Sequence, residues 1–111
     1  MASDKVQTMT DGNFDSTIKS ATVPVLVDFW AEWCQPCLRL GPSVEALAAE
    51  LDGKLIVGKM NVDENPMTPS RFGVRSIPML VLFKGGKPVD QSIGLVPKDV
   101  LKKMVTPHLA E

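Results

Sequence analysis

The sequence predicts an α/β fold, with a mixed five-stranded central sheet flanked by four helices. Three features carry that expectation. Residues 23–31, VPVLVDFWA, are apolar on both alternations, the pattern of a strand buried on two faces inside a sheet. Strand and helix patterns alternate through the earlier part of the chain, which implies parallel crossovers. Lys84-Gly85-Gly86-Lys87 then reads as a hairpin turn, which implies antiparallel pairing late in the chain.

Taken in order, Val6 to Met9 is a first strand, ended by Thr10-Asp11-Gly12. Asp11 or Asn13 can cap a helix through about Ser20, with Phe14 and Ile18 four apart on one face. Val23 to Ala31 is the central strand. Beyond it Leu38, Leu40, Val44, Leu47, Ala48 and Leu51 recur at helical spacing, so a helix is expected from about Cys34 to Leu51, stopping at Asp52-Gly53. Pro42 inside it removes a backbone donor and predicts a kink. Lys54 to Val62 reads as a strand, Asn65-Pro66 through Phe72-Gly73 as a short helix or turn, and Met79 to Phe83 as a strand. Val89–Ile93 is the second arm of the hairpin. Pro97 suits the first position of a closing amphipathic helix to about Leu109, with Val100, Leu101, Met104 and Val105 inward. Pro107 should end or bend its last turn.

Residues 1–111 are read as one domain, long enough for a core of its own. Hydrophobic residues make up 44% and charged residues 23%, an ordinary globular balance. With 12 Lys and Arg against 13 Asp and Glu, there is no concentrated basic surface to bind nucleic acid or anionic membrane. The start, MASDKVQTMT, lacks the apolar segment of a signal peptide, and no apolar run approaches membrane-spanning length. The expected address is the cytoplasm, where thiols are kept mostly reduced. Cysteines there point to catalysis, redox sensing or metal binding.

Both cysteines lie in WCQPC, three positions apart. A bridge between them restrains almost no chain, so it gains little of the stability that a structural disulfide provides. Cys34 falls at the first turn of the helix after the central strand, where free N–H groups and the helix dipole favour a thiolate. Cys37, one turn on and less exposed, lies within bridging distance. Cys34 is therefore the expected nucleophile and Cys37 the thiol that resolves the mixed disulfide. Pro36 stiffens the turn and removes an N–H that would need a partner. Zinc needs about four ligands, and His108 alone could join the two thiols, so no metal is expected.

Other positions leave alternatives open. Asp28 interrupts the central strand. It is either a buried carboxylate with a raised pKa near the carboxyl end of that strand, or a solvated side chain on an irregular edge. Lys59 is either a charge that approaches it or an ordinary exposed strand lysine. Ile77-Pro78 precedes an apolar strand and, unaided, reads as trans, because cis bonds are a small minority. Gly94 is either a turn glycine or one kept small for a partner's backbone. Trp30 is expected to pack under the helix and Trp33 to be exposed.

VDFWAEWCQPC, KMNVDENP, GVRSIPMLVLFKGGK and SIGLVPKD, in this order and spacing, resemble the thioredoxin family from end to end. The resemblance implies the thioredoxin fold and a protein dithiol–disulfide oxidoreductase active in electron transport and cell redox homeostasis. Such a protein reduces target disulfides and is itself reduced by a thioredoxin reductase. A lowered CxxC thiol pKa is an established property of that family. No bound cofactor is implied beyond the redox-active Cys34–Cys37 disulfide, and a monomer is expected. The resemblance also implies that Asp28 handles the proton of Cys37, that Lys59 favours the Asp28 carboxylate, and that Pro78 is cis and faces the cysteines. Ile77 would pair its backbone with an extended substrate. Trp33, Pro36, Ile77, Gly94 and Leu95 would form the apolar docking rim. The chain departs from the family pattern at Gln35, Leu38 and Met79, all expected at the docking face. Two rival readings are a disulfide oxidase or isomerase of the same fold, and a peptide-binding module whose CxxC is a redox switch.

Overall fold

Phe14 and Ile18 share a helix face, and that face is the buried one of α1 (Phe14–Ser20). The structure is a computed structural model and describes residues 5–109. Before α1 runs β1 (Val6–Thr8), and after it the apolar β2 (Val25–Trp30). Then come α2 (Gln35–Glu50), β3 (Ile56–Asn61) and the short α3 (Met67–Arg71). β4 (Met79–Lys84) and β5 (Lys87–Ile93) form the hairpin, and α4 (Lys98–Val105) closes the chain, followed by a 3-10 turn at Thr106–His108.

The five strands form one mixed sheet in the order β1-β3-β2-β4-β5. β3 pairs parallel with both β1 and β2, while β4 pairs antiparallel with β2 and β5. Successive side chains on a strand point to opposite faces, so the central strands feed two cores. On one face Leu26, Val57, Leu80 and Leu82 meet Leu40, Val44 and Leu47 of α2 and Leu101 and Val105 of α4. On the other, Val27, Phe29, Met60 and Val81 meet Phe14 and Ile18 of α1. Phe14 and Phe72 both set their rings against Phe83, with centroids 5.3 and 5.0 Å away.

The strand ends are shorter than the apolar pattern predicts. Val23-Pro24 lies outside β2, although the Pro24 carbonyl still accepts the Ile56 N–H at 2.9 Å. Lys54 belongs to the turn after α2, where its N–H bonds back to Leu51 at 2.8 Å. β5 starts earlier than expected, at Lys87, because Gly85 and Gly86 take φ of +62° and +81° and complete the reversal in two residues. α2 runs past Pro42, where the Leu38 carbonyl loses its usual donor. Val100 is exposed rather than inward, because Leu101 and Val105 define the buried line of α4 and Val100 lies about 100° round from it.

Asp11 does not cap α1. Its carboxylate accepts the N–H groups of Met67 and Thr68 at 3.1 and 2.8 Å and the Thr68 hydroxyl at 2.7 Å, so it caps α3 across the molecule. Asn13 is the N-cap residue of α1 by position, yet its Oδ1 accepts the N–H of Thr10 at 2.8 Å instead of a helical one.

Gly58 sits in β3 between Gln7 and Val27. A Cβ there would overlap the Cγ and Sδ of Met9, itself buried in the core and unable to swing into solvent. Gly58→Ala should therefore lower stability by about 1–3 kcal/mol, read as a lower urea midpoint with an unchanged slope.

Candidate active site

The chain leaves β2, turns through residues 31–33, and enters α2 at Cys34. Cys34 is the N-cap, extended at φ −89° and ψ 103°, and its sulfur accepts the N–H of Cys37 at 3.2 Å. The first turn of a helix has N–H groups without helical partners, and here the cysteine sulfur satisfies one of them. The same N–H and the helix dipole stabilise negative charge on that sulfur once the bond is reduced. Cys34 and Cys37 are joined in a disulfide with their Cα atoms 5.2 Å apart. Both are buried, Cys34 at 4% exposure and Cys37 at 1%, in a small cluster with Ala31 against Trp30, Val62 and Ile77.

Asp28 lies two residues beyond Leu26 on β2 and therefore on the same face, the one covered by α2. Its register partners are Lys59 on β3 and Leu80 on β4, so it sits in the middle of the sheet and is fully buried. The solvated-edge alternative is ruled out. Among the described residues neither carboxylate oxygen has a hydrogen-bond partner. Burial pushes the carboxyl up to about 7, against the opposing pull of the Lys59 ammonium. Lys59 is half-buried, and its ammonium lies over the Trp30 ring at 4.5 Å from the centroid. It also lies close to Gly41 of α2, where a Cβ would come within 3.9 Å of it.

Around the sulfurs the backbone closes in from β4 and β5. The Ile77–Pro78 bond is cis, and the Ile77 carbonyl oxygen is 3.8 Å from the Cys34 Sγ. Gly94, at φ +92°, donates its N–H to the Pro78 carbonyl at 2.8 Å, which brings the end of β5 to the same place. Gln35, Pro36 and Leu95 are exposed. Trp33 is 65% exposed, yet its Nε1–H donates to the Asp63 carboxylate at 2.8 Å.

Two findings go beyond or against the sequence reading. Asp63 was not anticipated as a partner of Trp33. It sits in a turn built by Asn61, whose Oδ1 accepts the N–H groups of Asp63 and Glu64 at 2.9 and 3.3 Å. The run Asn61-Val62-Asp63-Glu64 carries that turn chemistry, but nothing in it names an indole 30 residues away. Met79 was expected at the docking face. It is buried with Val27, Phe29 and Val81, because alternation along β4 turns it to the α1 side of the sheet.

The family model for thioredoxin matches residues 5–107. Thioredoxin 2 of Chlorobaculum tepidum is 49% identical over 90% of this chain and 92% of its own length. The thioredoxin of Alicyclobacillus acidocaldarius is 54% identical over 86% of this chain and 90% of its own length. Thioredoxin 1 of a Nostoc species is 48% identical over 91% and 94%. A CxxC disulfide set at a helix N-terminus beside a cis-proline, in a chain this similar to thioredoxins over nearly its whole length, leaves one conclusion: the chain belongs to the thioredoxin family and is a dithiol–disulfide oxidoreductase.

Proposed function

We propose that residues 1–111 act as one domain and as a monomer in the cytoplasm, reducing disulfides of other proteins and being returned to the dithiol by a thioredoxin reductase. The observation that carries this reading is the Cys34 sulfur, held by the Cys37 N–H at the start of α2, the helix that packs on the sheet face bearing the buried Asp28. In the first step the Cys34 thiolate attacks one sulfur of the target disulfide, and the other target sulfur departs as a thiolate. Cys37 then loses its proton to Asp28 and attacks the Cys34 Sγ. The Cys34–target bond breaks, the second target thiolate leaves, and the two electrons have passed from the Cys34/Cys37 pair to the target.

Asp28 suits this role because burial places its pKa near neutrality, where it both takes and returns a proton at working pH. Lys59 acts through Asp28 by favouring its carboxylate. Trp33, Gln35, Pro36, Ile77, Pro78, Gly94 and Leu95 form the surface on which the target rests, with the Ile77 backbone as a strand-like partner. The chemistry uses sulfur alone, without a bound cofactor. A cytoplasmic address suits a reductant, because the compartment keeps the pair in its dithiol form.

The deciding measurement is the midpoint of the Cys34/Cys37 couple in a glutathione or dithiothreitol buffer. Trp30 packs against the cysteine cluster, so its fluorescence reports the redox state. A midpoint more negative than the cytosolic glutathione couple, about −220 to −260 mV by extraction, is the expected result. One more oxidising than about −180 mV would mark a disulfide isomerase or oxidase and overturn the reductase reading.

A further inference from the structure

Seven large apolar side chains stand exposed among the described residues. Two of them, Trp33 and Leu95, belong to the rim already described, and Ile93 adjoins Gly94 at 55% exposure. Leu38, at 45%, is the fourth at this site, and the exchange reaction itself assigns it no part. Its N–H bonds the Cys34 carbonyl at 3.1 Å, so it begins the turn directly after the disulfide and lies on the Cys34 side of α2. Helical side chains tilt toward the N-terminus, so the surface a residue covers lies over the preceding turn. For Leu38 that is the turn of Gln35, Pro36 and Cys37, which carries no charge. The adjoining charged positions, Glu32 and Arg39, are exposed and opposite in sign.

Exchange requires a target sulfur to reach Cys34, which presses the residues flanking that target cysteine onto this surface. An apolar side chain landing on Leu38 is favoured by burial, whereas a carboxylate loses hydration there and finds no net counter-charge, since Arg39 is offset by Glu32. We infer that Leu38 is a specificity-determining residue, selecting target disulfides flanked by apolar or uncharged side chains over those flanked by acidic ones. The inference rests on the exchange reaction at Cys34 and adds a preference among its substrates.

The test uses two disulfide-linked peptides of one sequence that differ only beside the cysteine, with Leu in one and Glu in the other. The native chain should reduce the Leu peptide about fivefold more efficiently in kcat/KM. Leu38→Lys should invert that preference, by a similar factor of about five. Val89→Lys adds the same charge at an exposed apolar position toward the hairpin end of β5 and should keep the native ratio. A Leu38→Lys ratio equal to the native one would overturn the inference. So would an equal change for both peptides accompanied by a shifted Cys34/Cys37 midpoint, which would place the effect on the thiolate. Reduction of a small aromatic disulfide by the native chain separates the two levels. If that reaction occurs and the peptide ratios do not differ, only the role of Leu38 falls. If it does not occur, the exchange reading falls and the inference with it.

Discussion

Cys34→Ser will not reduce a protein disulfide at all, and Cys37→Ser will stop halfway with the target covalently attached. A serine hydroxyl is not ionised near neutral pH and forms no bond to sulfur of the kind exchange requires, so losing the attacking group loses the reaction. The structure separates the two cysteines. Cys34 is the N-cap, its sulfur receives a helical N–H, and it faces the Ile77 carbonyl at 3.8 Å. Cys37 lies inside the first turn and is the more buried of the pair. Cys34 therefore meets the target first, and Cys37 attacks only the Cys34 sulfur once that sulfur carries the target. Non-reducing electrophoresis and intact mass of the reduced variants mixed with a disulfide-bonded protein will check this. The Cys37→Ser adduct should accumulate one-to-one and dissolve on adding dithiothreitol, while Cys34→Ser gives none. An adduct formed by Cys34→Ser and none by Cys37→Ser would reverse the roles. Both variants should stay folded, because a bridge three residues long restrains little of the unfolded chain.

Local and periodic signals were legible in the sequence. The double alternation of Val23 to Ala31 reads as a central strand because both faces of β2 within it are in fact covered, and the glycine pair reads as a hairpin because both residues need positive φ. The redox pair was legible for a chemical reason, since its spacing makes little structural sense. The cis bond before Pro78 was readable only through resemblance, because the residues alone favour trans. What escaped the reading depends on contacts between distant segments. Asp11 has the composition of a local cap, and only the folded sheet brings the start of α3 within its reach. Asp63 meets Trp33 for the same reason. Met79 was misplaced because it follows a proline at the site, whereas its burial follows the pleat of β4, which turns it into the core. Asp28 was left with two meanings because a carboxylate inside an apolar run is compatible with an edge or with a functional core position. The strand order decides between them, and strand order is a property of the whole chain.

Asp28→Asn will make the chain more stable at pH 8 and leave its stability nearly unchanged at acid pH. The unfolded chain releases the Asp28 proton near the ordinary value of 3.8, while burial holds it in the folded chain to about 7. Folding is thus coupled to proton binding between those values, and stability from this group is complete below the first and lost as pH rises through the second. The interval corresponds to a penalty on the order of 4 kcal/mol for the buried carboxylate at pH 8. Asparagine has nearly the same shape and no proton to lose, and it is as poorly partnered as the neutral acid, so it matches native Asp28 at low pH and escapes the penalty at high pH. Urea midpoints of the native chain and the variant, taken from pH 4 to 8, should diverge from pH 4 upward and level off above about pH 7. A gap that stays constant across that range would show that the carboxyl is not buried as an acid. The same replacement removes the base proposed to take the Cys37 proton, so release of the mixed disulfide should slow by about 10²-fold at pH 7. A cavity or packing defect would lower stability without slowing release in this pH-dependent way. A stability gain complete by about pH 7, joined there by a loss of reactivity, is what one buried group that ionises near neutrality and serves the resolving thiol would produce.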